Sequence, residues 1–325
     1  MSPVITQLPI LILYPHSRCN CRCVMCDIWK TSDSAEISAA DLQRHAADIE
    51  SLGVRWVIFS GGEPLMHSDL FRLCAILRPL GVRLTILSTG LLLARHAHNI
   101  VEHLDEVIVS LDGPPEVHNR IRRVAGAFES MSEGIRELRQ LRPNFPIAGR
   151  CTVQRQNCTS LNATVHTARE LGLNSISFLA ADLSSTAFNR PQVWSADRQA
   201  EVGLTSGEVP ALEREIEAMI ESNAGSGFVL ESPEKLRRIL HHFRAYLGLT
   251  EPVSPRCNAP WVSVVIESDG TVRPCFFHEP IGNTTGRTLI EVLNGPRAVE
   301  FRESLRVAEN PVCRRCVCSL MWNNS

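Results

Sequence analysis

Three cysteines near the amino terminus have the residue type and spacing of a metal centre. Three residues separate Cys19 from Cys23 and two separate Cys23 from Cys26, so one loop can present three thiolates. A [4Fe–4S] cluster normally takes four thiolates. Three would leave one iron open, and an open coordination position is typical of a catalytic rather than a structural metal. A zinc ion with His16 as its fourth ligand is the alternative.

The segment Gly61-Gly62-Glu63-Pro64 follows a predicted strand and is the second chemical signal. Glycines let the backbone approach a ligand closely and present amide groups to it, while proline fixes the exit of the turn. Barrel folds place their chemistry at the carboxyl ends of strands. This turn and the cysteine loop after the first strand are therefore a strong joint signal.

A second set of cysteines lies near the carboxyl terminus. Cys257 and Cys275 flank a predicted hairpin, and Cys313 and Cys316 have the spacing of two ligands on one turn. Four thiolates can close the coordination of a zinc ion or of a [4Fe–4S] cluster, and spacing does not distinguish the two. Cys318 lies outside this pattern. We predict that it is a bystander, with a swapped ligand or a hydrogen-donating thiol as the alternatives.

The composition limits the class of protein. The 325 residues are enough for one large α/β barrel and a small appendage, and the 12 clustered cysteines favour metal over disulfides. A net charge of −2 gives no electrostatic case for nucleic acid or an anionic membrane as a partner. The apolar run Leu8–Tyr14 is too short to cross a bilayer, and no basic residue precedes it as in a signal peptide. We predict a cytoplasmic protein.

Strand-like and helix-like segments alternate from about residue 9 to about residue 180. Most of the strand-like runs are continuously apolar, as expected of strands buried on both faces, and the alternation predicts a parallel sheet with right-handed crossovers. The predicted strands are Pro9–His16, Val54–Ser60, Val82–Ser88, Glu106–Leu111, Ile147–Gln154 and Ser175–Leu179. Capping residues predict helices that begin at Ser38, at Ser68 or Asp69, and at Thr159, and that end near Gly53, Gly81 and Gly172.

The alternation stops after residue 180. The later predicted elements are an exposed helix over Glu208–Glu221, a helix from Ser232-Pro233 to Gly248, and a hairpin of Trp261–Ile266 and Thr271–Phe277. These changes predict three parts: a barrel over residues 1–190, a helical connector over 191–250, and a small α+β cluster-binding domain over 251–325.

The cysteine loop, the Gly-Gly-Glu-Pro turn and the six βα units resemble the radical S-adenosylmethionine (SAM) enzymes over about residues 9–180. The resemblance implies a partial (β/α)6 TIM-like barrel of the α/β class. It also implies an external one-electron donor such as flavodoxin or ferredoxin, cleavage of SAM to a 5′-deoxyadenosyl radical, and removal of a hydrogen atom from a substrate by that radical.

The resemblance implies that Cys19, Cys23 and Cys26 hold the SAM-binding [4Fe–4S] cluster. Met25 stands where family members often have an aromatic residue, and methionine can also pack on adenine. Cys21 lies outside the motif, and we predict that it is a bystander.

The resemblance also implies SAM contacts outside the cysteine loop. An arginine must pair with the SAM carboxylate, and Arg122 is preferred to Arg150 for this role. The other residues implied to contact SAM are Gly61, Gly62, Glu63, Pro64, Ser88, Ser110 and Asp112.

The carboxyl-terminal cysteines resemble the auxiliary-cluster domains called SPASM when long and twitch when short. The short form fits better, because the longer form needs more cysteines after the hairpin than remain here. It implies a second, auxiliary [4Fe–4S] cluster that accepts an electron from the substrate radical or returns one. Its ligands would be Cys257, Cys275, Cys313 and Cys316.

Three further residues are candidate catalytic groups. Asp182 follows the last predicted strand and could bind substrate or act as a base, or it could cap a turn with Ser184 or Ser185. Cys158 and Cys318 could each donate a hydrogen atom to a substrate radical, or be buried thiols without a chemical role.

The substrate class is the least specific prediction. We favour a small polar metabolite of the sugar or aminocyclitol type, oxidised or epimerised, because the auxiliary domain is short. The alternatives are a ribosomal-peptide maturase, a nucleotide cyclase of the molybdenum-cofactor type, and a non-enzymatic zinc-binding protein.

Overall fold

Nine strands of the computed structural model, which describes residues 1–32 and 34–323, form one continuous sheet. Their order across the sheet is β6-β5-β4-β3-β2-β1-β7-β8-β9. The strands are β1 (Ile10–Leu13), β2 (Trp56–Phe59), β3 (Arg83–Ser88), β4 (Glu106–Ser110), β5 (Ile147–Val153), β6 (Ser175–Ala180), β7 (Ser263–Ile266), β8 (Thr271–Arg273) and β9 (Gly282–Asn283).

Strands β1 to β6 run parallel, and each pairs with the next along the chain. All six predicted strands are present with ends shifted by a few residues, and the first is trimmed to Ile10–Leu13. The sheet is open rather than closed, because its two outer strands do not meet. The α/β class and the partial barrel are therefore confirmed.

Helices cover the sheet in the order the parallel topology requires. They are α1 (Ala39–Ser51), α2 (Leu70–Leu77), α3 (Leu93–His103), α4 (Pro115–Arg122), α5 (Ala127–Leu141), α6 (Leu161–Glu170), α7 (Ala196–Val202), α8 (Val209–Ser222), α9 (Pro233–Tyr246), α10 (Ala259–Val262), α11 (Leu289–Leu293), α12 (Pro296–Ser304) and α13 (Pro311–Arg314). The predicted caps at Ser38 and Ser232 are confirmed, since each accepts a backbone amide in the first turn of its helix. Thr159 is not a cap, because the turn after β5 extends through it and α6 begins at Leu161.

The region after β6 covers the outer edge of that strand. The backbone of Phe228 and Leu230 bonds to Ile176 of β6, and α9 packs against the same strand. Helix α8, predicted as exposed, is amphipathic and buries a stripe that includes Leu212 and Ile216. Backbone groups at the β6 edge are therefore satisfied by the chain itself.

The carboxyl-terminal hairpin extends the barrel sheet. Strand β7 pairs in parallel with β1, with Ile10 opposite Ser263, and α10 replaces the first residues of the predicted strand Trp261–Ile266. The predicted second strand, Thr271–Phe277, ends at Arg273 as β8. Strand β7 is buried along its length. The residues before and after the predicted boundary at residue 251 therefore share one sheet and one hydrophobic core.

A small apolar cluster packs on β1 and β7, on the face of the sheet away from the main core. Ile10, Ile12 and Val265 form this buried cluster, against which the tail residues Leu320 and Trp322 pack. Asn258 fixes the tail by hydrogen bonds to the backbone of Leu320 and Trp322. This packing leaves the carboxyl ends of the strands as the place for polar chemistry. No helix of the described residues is long and apolar enough to cross a membrane.

Candidate functional site

The cysteine loop lies at the carboxyl end of β1 and is held by its neighbours through backbone hydrogen bonds. The amides of Arg22 and Val24 donate to the carbonyls of Arg122 and Ile121, at 3.1 and 3.0 Å. The amide of Glu63 donates to the carbonyl of Arg18 at 2.9 Å. The loop is therefore anchored to the end of α4 on one side and to the Gly-Gly-Glu-Pro turn on the other.

The three predicted cluster cysteines lie close enough to one another to interact electrostatically. Burial and the neighbouring thiols raise the pKa of Cys19, and burial raises the pKa of Cys26 to about 12. Cys23 differs, because a hydrogen bond from the Cys21 thiol and the nearby Arg122 lower its pKa to about 7. Cys21, predicted to be a bystander, thus contacts the sulfur of a predicted ligand.

A single zinc ion fits this arrangement poorly. Zinc with Zn–S bonds of about 2.3 Å needs sulfurs roughly 3.8 Å apart. Within residues 1–32 and 34–323, no three His, Cys, Asp or Glu side chains are arranged to hold one metal ion. His16, the fourth zinc ligand in the alternative, instead has its ring between Arg18 and Glu36, at 3.4 and 3.5 Å. Three thiols on one loop without His16 as a fourth ligand suit an iron–sulfur cluster with one open iron.

The two glycines of the turn are required by contact with protein. Gly61 has φ +94°, and a Cβ there would lie 2.6 Å from the ring of Tyr14. A Cβ on Gly62 would lie 1.9 Å from the carbonyl oxygen of Arg18, which no side chain can tolerate. The turn can pack against the cysteine loop only because both residues lack a side chain.

Glu63 is fully buried and organises the turn after β3. Its carboxylate accepts hydrogen bonds from the Thr89 amide at 2.6 Å, the Thr89 hydroxyl at 2.7 Å and the Ser88 hydroxyl at 3.1 Å. Burial raises its pKa, and these donors oppose the rise. The predicted SAM contacts of Glu63 and Ser88 stay predictions, but their side chains face each other, so any such contact would come from backbone groups.

The two candidate arginines lie in different surroundings. Arg122 is buried, lies 2.7 Å from Asp112 and is 3.5 Å from the Cys23 sulfur, so both terminal nitrogens are engaged while its Nε has no partner among the described residues. Arg150 on β5 is exposed and makes no ion pair with any residue the structure describes, bonding only Ser177 at 3.3 Å. It is also paired in register with Ser110 of β4. The geometry therefore favours Arg150, rather than the preferred Arg122, as the partner of a carboxylate.

Two amide side chains near the site have buried polar atoms without a partner among the described residues, although Asn20 Oδ1 accepts the Thr89 hydroxyl at 2.9 Å. Both side-chain polar atoms of Gln154 and the Nδ2 of Asn20 make no hydrogen bond with the part of the chain that the structure describes. Gln154 follows β5, two and four residues beyond Thr152 and Arg150, and so lies on the same face of the strand. A ligand rich in amino, carboxylate and hydroxyl groups, as SAM is, would satisfy these atoms. Sequence reasoning missed both residues because neither belongs to a motif.

The loop after β6 reaches across the mouth of the barrel to the cysteine loop. Arg190 bonds Asp182 at 2.6 Å and the carbonyl of Met25 at 3.4 Å, and it stacks 3.6 Å from the ring centroid of Trp194. The Trp194 indole donates to Asp27 at 2.7 Å. We call residues 182–198 the latch segment. Asp182, a predicted catalytic group, is therefore committed to this buried ion pair.

A cavity of about 830 Å³ lies beneath the latch segment. Its walls come from the cysteine loop at Asp27 and Lys30, from Gly62, from the latch segment, and from the β7–β8 hairpin at Arg273. Elements far apart in sequence thus converge on one polar space at the mouth of the barrel. This is the usual position of a ligand site in barrel folds.

The carboxyl-terminal cysteines also come together. Cys275 and Cys313 each lie within electrostatic range of Cys257, and Cys316 lies near both Cys257 and Cys275. Cys318 lies within the same range of Cys257 and Cys316, but it also has Arg150 and Asp182 as charged neighbours, and burial raises its pKa to about 11. The thiol of Cys318 therefore lies between the cysteine group and the mouth of the barrel.

The remaining predicted catalytic thiol, Cys158, lies apart from these groups. It is buried, donates to the carbonyl of Arg155 at 3.3 Å, and has Glu208 and Glu215 as charged neighbours. Burial raises its pKa to about 11. Its surroundings are those of a packing residue, and its catalytic role stays a prediction without structural support.

Comparison with known families decides the class of the protein. The radical SAM superfamily profile matches residues 13–155, and the SPASM iron–sulfur cluster-binding domain matches residues 257–317. The chain therefore contains a radical SAM domain followed by a SPASM domain. These two domains imply SAM and [4Fe–4S] clusters as cofactors, so the predicted cofactors are confirmed as a class.

Individual relatives cover only part of this radical SAM enzyme. It is 32% identical to the AdoMet-dependent heme synthase of Methanosarcina barkeri over 176 aligned residues. The aligned stretch covers 51% of this chain and 49% of the relative. The enzyme is 36% identical over 110 residues to a probable GTP 3′,8-cyclase of Methanothermobacter thermautotrophicus, 33% of this chain and 36% of the relative. The chain thus spans about half or less of the length of these relatives.

Solved structures show the same fold over nearly the whole enzyme. Streptococcus suis SuiB bound to S-adenosylmethionine superposes with a TM-score of 0.69 at 15% identity, covering 98% of this chain and 74% of SuiB. At this identity the likeness shows the fold alone.

The latch segment provides a direct test of the site geometry. Trp194→Phe keeps a ring against Arg190 but removes the N–H that bonds Asp27. Hydrogen bonds to charged groups contribute about 1.5–3 kcal/mol, so we expect amide exchange in residues 186–198 to quicken at least about tenfold. Deuterium exchange followed by mass spectrometry measures this.

Trp261→Phe is the matched control, because the Trp261 indole N–H has no partner in the described residues. Equal exchange of the latch segment in the two variants would contradict its attachment to the cysteine loop.

Proposed function

We propose that this radical SAM enzyme oxidises or epimerises a small polar metabolite of the sugar or aminocyclitol type in the cavity beneath the latch segment. The observation that carries the proposal is the cavity of about 830 Å³, which borders both the cysteine loop and Gly62. It has room for a compact substrate, and its walls mix polar and apolar groups and carry charges of both signs. When bound, the reduced cluster and SAM together supply the 5′-deoxyadenosyl radical that removes the hydrogen atom.

Cys19, Cys23 and Cys26 would hold the SAM-binding cluster and leave one iron open. Their proximity, and the backbone bonds that fix the loop between α4 and the Gly-Gly-Glu-Pro turn, support this assignment. Cys257, Cys275, Cys313 and Cys316 would hold the auxiliary cluster. Four thiolates would leave that cluster without an open iron, so the two centres would have different roles.

SAM would lie along the carboxyl ends of the strands. Backbone groups at Gly61 and Gly62 would face its amino group, and Arg150 with Ser110 would bind its carboxylate, since the two are adjacent in register. The orphaned amides of Gln154 and Asn20 would take its remaining polar groups. The latch segment would exclude water and oxygen from the space that remains.

A larger acidic substrate is the second candidate. Beside Cys318 a smaller pocket of about 140 Å³ is lined by Arg150, Lys235, Arg238 and His242, with Glu231 as its acidic group. This excess of basic groups suits one carboxylate arm of a larger substrate whose body lies outside the pocket, and Arg150 would then bind that arm rather than SAM. Relatives that are 30–32% identical include an AdoMet-dependent heme synthase and an Fe-coproporphyrin III synthase of Methanosarcina barkeri, so a tetrapyrrole is the natural acidic compound to test.

The proposed activity is tested by reducing anaerobically purified enzyme with dithionite in the presence of SAM and measuring 5′-deoxyadenosine. We expect formation in the native enzyme and at least a hundredfold loss in Cys19→Ala, Cys23→Ala and Cys26→Ala, because a cluster without its third thiolate does not bind SAM productively. Cys313→Ala is the matched control and should retain formation.

Persistence of 5′-deoxyadenosine in the three variants, or its absence from the native enzyme, would contradict the proposal. Deuterated aminocyclitols, sugars and tetrapyrroles, supplied separately, distinguish the substrate classes by deuterium transfer to 5′-deoxyadenosine.

The assignment of the carboxylate partner gives a separate prediction. Arg150→Gln should weaken SAM binding at least about tenfold, because a hydrogen bond to a charged group contributes about 1.5–3 kcal/mol. Arg155→Gln is the control, since Arg155 pairs with Glu208 outside the cavity. Equilibrium binding to the anaerobic enzyme measures the effect, and equal affinity in both variants would exclude Arg150.

A further inference from the structure

We propose that Arg122 is a positioning residue for the SAM-binding cluster, and that its guanidinium donates a hydrogen bond to the Cys23 sulfur that raises the cluster's reduction potential. The inference rests on the proposed role of Cys23 as a cluster ligand. In place of the SAM contacts that the sequence implied, Arg122 would act on the cluster through Cys23, and Asp112 would orient Arg122.

The side chain of Arg122 lies between a sulfur and a carboxylate. Nη1 is 3.5 Å from the Cys23 sulfur, and Nη2 is 2.7 Å from Asp112 Oδ2. The exposed fraction of the Arg122 side chain is 8% and that of Asp112 is 0%, so water does not compete for either bond. Because the guanidinium is planar and rigid, the bond to Asp112 fixes the direction of the N–H that faces the sulfur.

Asp112 is in turn fixed to the barrel. Its Oδ1 accepts the amide of Thr152 at 3.0 Å, and its carbonyl accepts the side chain of Asn157 at 2.9 Å. Its own amide lies 3.3 Å from His118 Nδ1. The position of the donor at Cys23 is thus set by β5 and the turn that follows it, outside the cysteine loop itself.

The backbone at the end of α4 also fixes Cys23 relative to Arg122. The carbonyls of Arg122 and Ile121 accept the amides of Arg22 and Val24, the residues on either side of Cys23. Cys21 adds a thiol hydrogen bond to the same sulfur. Two side-chain donors, Arg122 and Cys21, therefore lie against the Cys23 sulfur, whereas the Cys26 sulfur accepts the backbone amide of Ile28 at 3.4 Å.

The physical effect follows from the charge of the cluster. Reduction adds one electron, and hydrogen bonds to the thiolate sulfurs stabilise the more negative state and raise the potential. A buried donor acts in low dielectric, where such a bond is stronger than in water. Asp112 offsets much of the long-range charge of Arg122, so the directed N–H bond is the main contribution.

The test is a redox titration of the anaerobic holoenzyme. The reduced cluster is monitored by electron paramagnetic resonance, using the signal that changes shape when SAM is added. In Arg122→Gln we expect the ratio of reduced to oxidised cluster at a fixed potential to fall at least tenfold, which equals about 59 mV for one electron. In Arg122→Lys we expect a reduction potential between those of the native enzyme and Arg122→Gln, because an ammonium keeps the charge but lacks the two-pronged geometry of a guanidinium. Arg78→Gln is the control, since Arg78 pairs with Asp105 at the opposite end of the sheet.

An unchanged potential in Arg122→Gln at full iron content, or an equal shift in Arg78→Gln, would overturn the inference. If Arg122→Gln does not retain its cluster, Arg122→Lys decides, because it keeps the buried positive charge beside Asp112 but loses the planar N–H directed at the sulfur. A potential below the native value in Arg122→Lys supports the inference and an unchanged one overturns it. Absence of any SAM-sensitive signal in the native enzyme would instead contradict the proposed function.

Discussion

The contact of Gly62 with the carbonyl of Arg18 is the constraint on which the site depends. A Cβ at Gly62 would lie 1.9 Å from that oxygen, and the next amide, that of Glu63, donates to the same oxygen at 2.9 Å. The cysteine loop and the Gly-Gly-Glu-Pro turn are therefore one unit rather than two neighbouring motifs. An enzyme that must keep one iron open needs this rigidity, since the protein supplies only three ligands on a single loop.

Buried charges give the rest of the mouth its shape. Glu63 joins the turns after β2 and β3, the Asp112–Arg122 pair supports the cysteine loop from β4, and the Asp182–Arg190 pair holds the latch segment. Each of these charges is paired or accepts several hydrogen bonds, as buried charges must be. Their removal would leave an uncompensated partner, so they act on the chemistry by fixing the position of groups that touch the ligand.

The sequence predicted the repeated strands, the main helix caps and the cluster chemistry, because each has a local signal. It did not predict that β7 would join β1 or that Leu320 and Trp322 would pack against these two strands, since these pairings depend on distant segments. It also assigned Asp182 to possible catalysis, because a loop acid after a strand looks the same whether or not an arginine eight residues later neutralises it. Gln154 had no motif, and only its burial without a partner reveals it.

The central claim is that the cluster held by Cys19, Cys23 and Cys26 has an open iron that binds SAM directly. Electron–nuclear double resonance on the reduced enzyme, mixed with SAM carrying ¹⁵N in its amino group, tests this most directly. The account predicts a hyperfine coupling between the cluster and the ¹⁵N nucleus, lost in Cys26→Ala. A reduced [4Fe–4S] signal in the native enzyme with no coupling to ¹⁵N at saturating SAM would contradict it.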